Sequence, residues 1–428
     1  MNYYLKTTHN LKFKLLTISV ITLIIYSCSV SKNSGSNKNV ARIYMPGLNL
    51  IDPDYKVFHK NDALTEVHFR LNSANILYTK KQGDTAFSAN ILIHYELMNR
   101  ATKSLTDSAS ISFTDFRKNK KKKLLDGIIP IKTLPNNTYD LVITVNDLSR
   151  DHYIKKKITV NRSDIYNDQN YLMLDSNKAV VFKNNFKNNE KVIIKKNENN
   201  PAKSITLKHY NTDLPIAKPP FSSDETIVFK SQLLSQLDFD STNHLEYIVK
   251  EKGLYHFQTS EDIKTGPTFF NFQEYFPKVK NPENMIGPMR YISTKKEYSL
   301  LTDSEDKKLA IDNHWLNLAG SSERARTLIR EFYTRVENAN KYFTSYLEGW
   351  KTDRGIIYII YGSANVVYKT SEYENWIYGE ENNMMSISFT FHQVKNPVSA
   401  NDYSLSRSSM YKSSWFRAVD SWRNGRIY

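Results

Sequence analysis

Along residues 40–162 apolar and polar positions alternate in short runs set off by turn residues. Residues 66–71 (EVHFRL), 87–97 (FSANILIHYEL), 139–145 (YDLVITV) and 153–160 (YIKKKITV) alternate or cluster β-formers, the period-two signal of half-buried strands. In LPNNTYDLVITVNDLSRDHYIKKKITV a Pro-Asn-Asn turn, a strand, an Asn-Asp turn and a return strand follow in order. That order suits the last hairpin of an immunoglobulin-like β-sandwich. Residues 163–275 carry further strand candidates at 171–174, 180–182, 191–195, 204–209, 226–230, 245–249 and 253–259. KKNENNPAKS and LPIAKPPF separate them as Asn-, Lys- and Pro-rich breaks. This predicts a second, smaller β-domain.

From about residue 282 the period lengthens. Segments 295–319 and 321–348 carry helical spacing. In the second, Leu328, Ile329, Phe332, Tyr333, Val336, Ala339, Tyr342, Phe343, Tyr346 and Leu347 recur at three- and four-residue steps. Gly320-Ser321-Ser322 offers a start for this helix and Gly349 a left-handed stop. Strands are then predicted at 356–361, 376–378 and 386–391. In the last, Ile387, Phe389 and Phe391 alternate with Ser386, Ser388 and Thr390, as in a sheet with one buried face. The whole pattern predicts a multidomain chain, mostly β and then α+β. It has an immunoglobulin-like β-sandwich over 40–162, a second β-domain over 163–275, and an α+β domain over 280–428 in which a long helix packs on an antiparallel sheet.

Between the predicted helix and strand stands a polar and aromatic knot, Gly349-Trp350-Lys351-Thr352-Asp353-Arg354-Gly355. Each residue has a structural job available. Trp350 can bury its ring under the helix end. Thr352 and Asp353 can accept from nearby backbone N–H groups. Arg354 can pair with Asp353 or with a carboxylate elsewhere, and Gly355 permits close approach. Trp, Tyr and Arg also dominate binding hot spots. Trp350, Thr352, Asp353, Arg354, Tyr361 and Trp376 are therefore the candidate partner- or ligand-binding residues.

The N-terminus changes the picture most. Lys6, Lys12 and Lys14 precede a mostly apolar run over 15–25, too short for a comfortable membrane span. The run ends in Ile25-Tyr26-Ser27-Cys28, which resembles a bacterial lipobox, and Cys28 is the chain's single cysteine. The expectation is a lipoprotein signal peptide over 1–27 and a mature chain anchored through acyl chains, palmitate among them, on Cys28. Stable anchoring needs more than one such chain. Residues 28–39 then form a small, polar, flexible tether. With no Asp after Cys28 and no acidic cluster, resemblance to lipoproteins of this kind implies the outer membrane with the body in the periplasm.

The knot and its surroundings resemble the GWxTD-domain family of bacterial envelope lipoproteins. PMRYISTKKE (288–297), HW (314–315), FYTRVENANKYF (332–343), GWKTDRGIIYIIYG (349–362), YENWIY (373–378) and FTF (389–391) look like successive blocks of that family, in order. Ser363-Ala364 stands where the family usually has Pro-Pro, which leaves the turn after Gly362 open. The resemblance implies an envelope protein and supplies no catalytic residues.

The residues themselves offer little enzyme chemistry. The ten histidines are scattered singly, with no H-x-H, HExxH or cysteine cluster, so no local metal motif is present. There is no phosphate-binding loop or dinucleotide fingerprint, and Gly362-Ser363-Ala364 lacks the second glycine of a nucleophile elbow. Asp353 and Glu348 are the one pair of carboxylates with a hydrolytic reading, and Glu348 is expected to be exposed in a last helical turn. The net charge of +15 is mostly Lys dispersed among Asn, with one dense run over 118–123, so no nucleic acid is expected. No cofactor, metal or catalytic residue is assigned. The sequence thus points to a non-enzymatic structural or protein-binding component of an envelope assembly, held to the membrane through Cys28 and partnered by another envelope protein. A glycan- or peptide-binding protein or hydrolase using the Trp350/Asp353 loop is the alternative. The C-terminal segment 410–428 adds Trp415, Phe416, Val419 and Trp422 at helical spacing, read as a packed terminal helix or a docking surface.

Overall fold

The computed structural model describes residues 38–47, 51–119, 121–150, 152–211, 214–223, 231, 233–259, 265–396 and 398–427. The signal peptide, Cys28, the tether up to residue 37 and the strand expected at 226–230 lie outside the described residues.

Among these residues, the first β-domain has seven strands: β1 (Asp54–His59), β2 (Leu64–Asn72), β3 (Phe87–Asn99), β4 (Leu105–Arg117), β5 (Leu124–Lys132), β6 (Thr138–Asp147) and β7 (His152–Asn161). They form two antiparallel sheets, ordered β1-β2-β5 and β4-β3-β6-β7. Alternation decides the core: Ile91, Ile93, Tyr95 and Leu97 of β3 face inward beside Leu141, Ile143 and Val145 of β6. Strand β4 is an edge, and it points carboxylates inward. Asp107 accepts from the Tyr95 hydroxyl at 3.2 Å, and Asp115 from the Tyr78 hydroxyl at 2.6 Å. Inward charges on an edge strand discourage pairing with a further strand. They also bracket the apolar face of β4, where Ala109, Ile111 and Phe113 stand between Asp107 and Asp115.

The second β-domain contains β8 (Tyr171–Leu174), β9 (Lys191–Lys196), β10 (Ser204–Tyr210), β11 (Leu233–Asp238), β12 (His244–Ile248), β13 (Gly253–Gln258) and β14 (Thr268–Asn271). Its sheets run β12-β9-β8 and β11-β10-β13-β14. Val192, Ile194, Leu207, Phe257 and Phe269 fill the space between them. The strand expected at 180–182 is reduced to one bridge, Leu174 to Val180.

The C-terminal part holds α1 (Pro282–Met289), α2 (Lys295–Asp303), α3 (Lys307–Ala319), α4 (Ser322–Phe343), α5 (Asp353–Tyr361) and α6 (Tyr411–Arg423). Its sheet is a meander of β15 (Val366–Lys369), β16 (Tyr373–Tyr378), β17 (Ile387–Gln393) and β18 (Tyr403–Leu405). The helical stretch 295–319 is two helices. Thr294 and Glu297 close a capping box on α2, and Asp306 caps α3 through the Leu309 N–H. Gly320, at φ +72°, ends α3, and the Ser321 side chain caps α4. Helix α4 stops at Phe343, short of the expected 348, and Gly349 lies in a 3-10 turn (Gly349–Lys351) instead of at a left-handed stop.

The largest correction concerns 356–361, which is the body of helix α5 and not a strand. Residues 354–361 are all buried, so no apolar stripe betrays the helical period. A short apolar run bounded by polar residues reads the same in either conformation. The Thr352 hydroxyl, accepting from the Gly355 N–H at 3.1 Å, commits the run to helix. The knot is thus a helix-to-helix corner. Helix α4 reaches the sheet through Phe343 on Trp376 (ring centroids 5.2 Å), and α5 through Tyr361 on Phe389 (5.2 Å).

Candidate functional site

The corner between α4 and α5 gives each residue of the knot a distinct contact. Gly349 lies against the α4 backbone, where a Cβ would stand 1.9 Å from the Ala339 carbonyl oxygen. Gly355 is as tight, with a Cβ 1.8 Å from the Gly349 oxygen. Only glycine permits these approaches. The Trp350 amide donates to Asn340 Oδ1 at 3.2 Å, and its ring packs on α1 at Gly287. The Thr352 hydroxyl also donates to the Gly349 oxygen at 2.8 Å. Glu348 is buried at 9% exposure, contrary to the expectation of an exposed helical position, and pairs with Lys351 at 2.6 Å. It sits beyond the end of α4, where the chain turns inward.

Asp353 and Arg354 point to opposite sides of the corner. Asp353 accepts from the Leu405 amide at 2.8 Å and is ion-paired with Arg407. Arg407 in turn donates to the carbonyls of Lys218 and Pro219, both at 2.8 Å. The Pro-rich piece read as a break is therefore a strap from the second β-domain. Its Ala217 amide donates to the Lys351 oxygen at 2.8 Å, and Phe221 meets Phe416 of α6 at 5.4 Å.

Arg354 is 1% exposed and pairs with Glu374, not with Asp353. Glu374, at 0%, is the hub of a buried polar cluster. Its Oε1 accepts from Arg354 at 3.0 Å, Lys369 at 2.6 Å and the Tyr44 hydroxyl at 2.8 Å; its Oε2 accepts from the Trp376 indole at 3.0 Å. Burial works against its charge, but the Arg354 and Lys369 cations hold its pKa below the usual carboxylate value. Arg354 also donates to Asn401 Oδ1 at 2.6 Å, and its guanidinium lies 3.9 Å over the Tyr403 ring. Asn401 passes the connection on, donating to the Tyr342 and Thr344 carbonyls near the end of α4.

Tyr44 reaches this hub from the opposite end of the sequence. The Asn39 side chain accepts from the Val367 amide at 3.0 Å, and the Val40 amide donates to the Val367 oxygen at 2.9 Å. Tyr358 then donates to the Tyr44 carbonyl at 3.1 Å. Burial, with Glu374 beside it, pushes the Tyr44 hydroxyl far above the normal tyrosine range, so it stays a proton donor.

The candidate residues therefore fall into separate places. Arg354 and Trp376 meet at Glu374. Thr352 and Asp353 line a cleft of about 470 Å³ between the second β-domain and the C-terminal domain. Trp350 is enclosed against α1, and Tyr361, 4% exposed, packs toward Trp415 of α6 at 6.3 Å. Trp415, Val419 and Trp422 of α6 are buried, while Phe416 is 46% exposed. Glu374, Tyr44, Asn401 and Arg407 were missed. Glu374 had a signal in YENWIY, where Glu374, Trp376 and Tyr378 share one face of the strand. Tyr44 had none. Among the described residues no group of His, Cys, Asp and Glu has the spacing to hold a metal ion, and no helix is long and apolar enough to cross a membrane.

Residues 253–424 match the family model of the GWxTD domain. None of the curated proteins matches the chain. Similar solved structures include Bacteroides uniformis beta-glucuronidase 2, at 6% identity and a TM-score of 0.18, over 32% of this chain and 16% of that one. Another is the group B streptococcus pilus 2b backbone protein, at 10% identity and a TM-score of 0.15, over 48% and 82%. A third is the C-terminal domain of a Streptococcus pyogenes antigen I/II-family protein, at 7% and 0.18, over 53% and 100%. The similarity spans 16% of the glucuronidase's length, and at these scores none of the three carries an argument.

Proposed function

Residues 253–424 form a GWxTD domain, and from that premise we propose that the chain is a lipid-anchored, periplasm-facing protein of the outer membrane. It serves as a non-enzymatic structural or protein-binding component of an envelope assembly. The anchor is Cys28 with its acyl chains. The observation that carries this reading is the seat of Asn39, Val40 and Tyr44 in the C-terminal domain. A tether of residues 28–39 leads straight from the anchor to the GWxTD domain and spans at most about 40 Å when fully extended. The two β-domains then leave this domain and return to it, making an arm that carries contacts away from the membrane.

The hydrolase alternative has less to draw on. Asp353 is engaged by Arg407 and a backbone amide, and Glu348 by Lys351. Neither is a carboxylate standing open to substrate.

The test is made in intact cells. Mass spectrometry of the mature N-terminus should find acyl chains on Cys28, and Cys28→Ala should move the chain out of the membrane fraction. Crosslinking and affinity capture of the full-length lipoprotein should return one reproducible envelope partner. An unmodified Cys28 in a water-soluble chain, or capture of no specific partner, contradicts the proposal.

A further inference from the structure

The first β-sandwich has a free end with side chains that its packing does not use. Strands β2, β4 and β6 stop at this end and β3, β5 and β7 start there, so the connections 73–86, 118–123 and 148–151 all lie at it. Register sets its front. Phe87, opening β3, stands opposite Arg117 at the close of β4, and Leu124, opening β5, stands opposite Asn72. The Ser73 amide donates to the Lys123 carbonyl at 3.0 Å and joins the first two connections. The turn 148–151 stands back by about 10 Å, its Leu148 amide bonded to the carbonyl of Asn90, three residues into β3. The chain leaves for the second β-domain from the opposite end, after Asn161.

Two kinds of side chain occupy the front. Phe116 is 62% exposed, Leu124 56% and Phe87 40%. Phe116 lies on the outer face of β4, since its neighbour Asp115 points inward, and no core position claims it. Around these three stand Lys80, Lys81, Lys118, Lys121 and Lys122, all exposed. The run 118–123 holds no acid, and 79–86 holds only Asp84. The nearest strand carboxylates are taken, Asp115 by Lys123 at 2.7 Å and Asp126 by Arg70 at 2.6 Å. The end is therefore positive.

Lysines alone describe a solvated end, and single exposed apolar residues are common. Their combination selects among ligands. A soluble polyanion engages the lysines and leaves Phe116, Leu124 and Phe87 in water. An anionic bilayer engages both. Apolar side chains pass into the acyl boundary, while lysine stems follow the surface and hold their ammonium groups at the phosphates.

We propose that this end of the sandwich docks on a bilayer surface carrying anionic phospholipid. Phe116, Leu124 and Phe87 enter the interface, and the five lysines meet its phosphates. This adds a membrane contact on the sandwich itself and needs neither the acyl anchor nor a protein partner.

The experiment uses the chain from residue 28 onward with Cys28→Ala, so that no acyl chain holds it to a bilayer. It is floated with phosphatidylcholine vesicles, with and without phosphatidylglycerol. The chain should bind the anionic vesicles and not the neutral ones, and high salt should weaken the binding. Lys118→Gln, Lys121→Gln and Lys122→Gln together should weaken it about a hundredfold, at roughly fivefold per lysine. Phe116→Ser should weaken it about tenfold. An environment-sensitive dye on Asn119→Cys, then the sole thiol of the chain, should shift to the blue on anionic vesicles. The same dye on Ala101→Cys, exposed at the opposite end, should not. No binding, equal binding to both vesicles, or a dye at residue 119 that stays in water contradicts the proposal. If dextran sulfate is bound instead of vesicles, and Phe116→Ser binds it undiminished, the end is a polyanion site and not a bilayer contact.

Discussion

The first β-sandwich and the C-terminal domain differ in where their close ion pairs sit. In the sandwich most ion pairs sit toward the periphery: Arg70 with Asp126 and Arg100 with Asp140 keep partial exposure, and the buried Asp147 has its partner Arg150 only at 3.8 Å. Its interior is aliphatic and tyrosine-rich. In the C-terminal domain, Arg354 and Glu374 meet at the centre of the core, at 1% and 0% exposure. A buried charge pair is a poor way to gain stability, because desolvation offsets most of the attraction. What it does here is join distant chain. Glu374 accepts from Tyr44, 330 residues away, while Arg354 reaches Asn401 and Asp353 engages Arg407, which holds the Pro-rich strap. The sandwich is a support held by generic packing. The C-terminal domain is where the N-terminal segment, the strap and the sheet are fastened together.

The difference can be broken most sharply at Glu374. Glu374→Ala leaves Arg354 buried without its carboxylate, and the expected loss is about 3–5 kcal/mol. Asp126→Ala, at the half-exposed partner of Arg70 on the sandwich periphery, should cost no more than about 1 kcal/mol. All five tryptophans, from Trp315 to Trp422, lie in the C-terminal domain. Their fluorescence in a urea titration therefore reads that domain, while circular dichroism follows the β-arm.

The next effect belongs to the sandwich. His59 is buried, bonded to Thr65 Oγ1 at 2.8 Å and to the Asn161 carbonyl at 2.9 Å. Burial lowers its pKa from 6.5 to about 4. The unfolded chain then binds the proton first, so stability is full above pH 6.5 and falls as pH drops toward about 4. The total is about 3 kcal/mol. Urea midpoints between pH 7 and 4 should show this slope, and His59→Gln should flatten it.

Tyr44→Phe sharpens the comparison from the other side. It removes one charge-assisted bond to Glu374 and keeps the ring contacts, so about 2 kcal/mol is expected. The fluorescence transition should shift and the sandwich transition should not. The smallest effect is at Arg423, which pairs with Glu297 at 2.7 Å near the surface. Arg423→Gln should cost at most about 1 kcal/mol. Arg423 holds the Glu297 pKa at about 2, below its usual 4.5, so the contribution is present above pH 4.5 and lost as pH falls toward 2. Thermal melts at pH 7 and pH 3 should show the variant closer to the wild type at the lower pH.

The two regions also differed in how much of them the sequence disclosed. Strands with one buried face, such as β3, β6 and β17, were legible because side chains alternate across a sheet. Strand β4 was not picked out: its apolar face is only Ala109, Ile111 and Phe113, bracketed by the inward Asp107 and Asp115. Helix α5 was misread for the opposite reason: it is apolar on every side. At the corner the residue types were visible and their partners were not. Arg354 needed a carboxylate, but nothing local distinguished Asp353 from Glu374, since the choice is made by a sheet strand folding back beneath α5. The strap was read as a break because Pro-rich sequence says nothing of what an extended segment rests on. Cys28 and its leader were readable as sequence alone and lie outside the described residues.

The most direct test of the claim that the corner fastens remote segments is hydrogen–deuterium exchange on the full-length chain, wild type beside Asp353→Ala. Losing Asp353 should release Arg407 and with it the strap. Exchange should then rise at residues 214–221 and 403–408, while strands β2, β3 and β6 stay as protected as before. If exchange rises only around 350–356, or rises equally through the sandwich, the corner is not the fastening and the account of this domain is wrong.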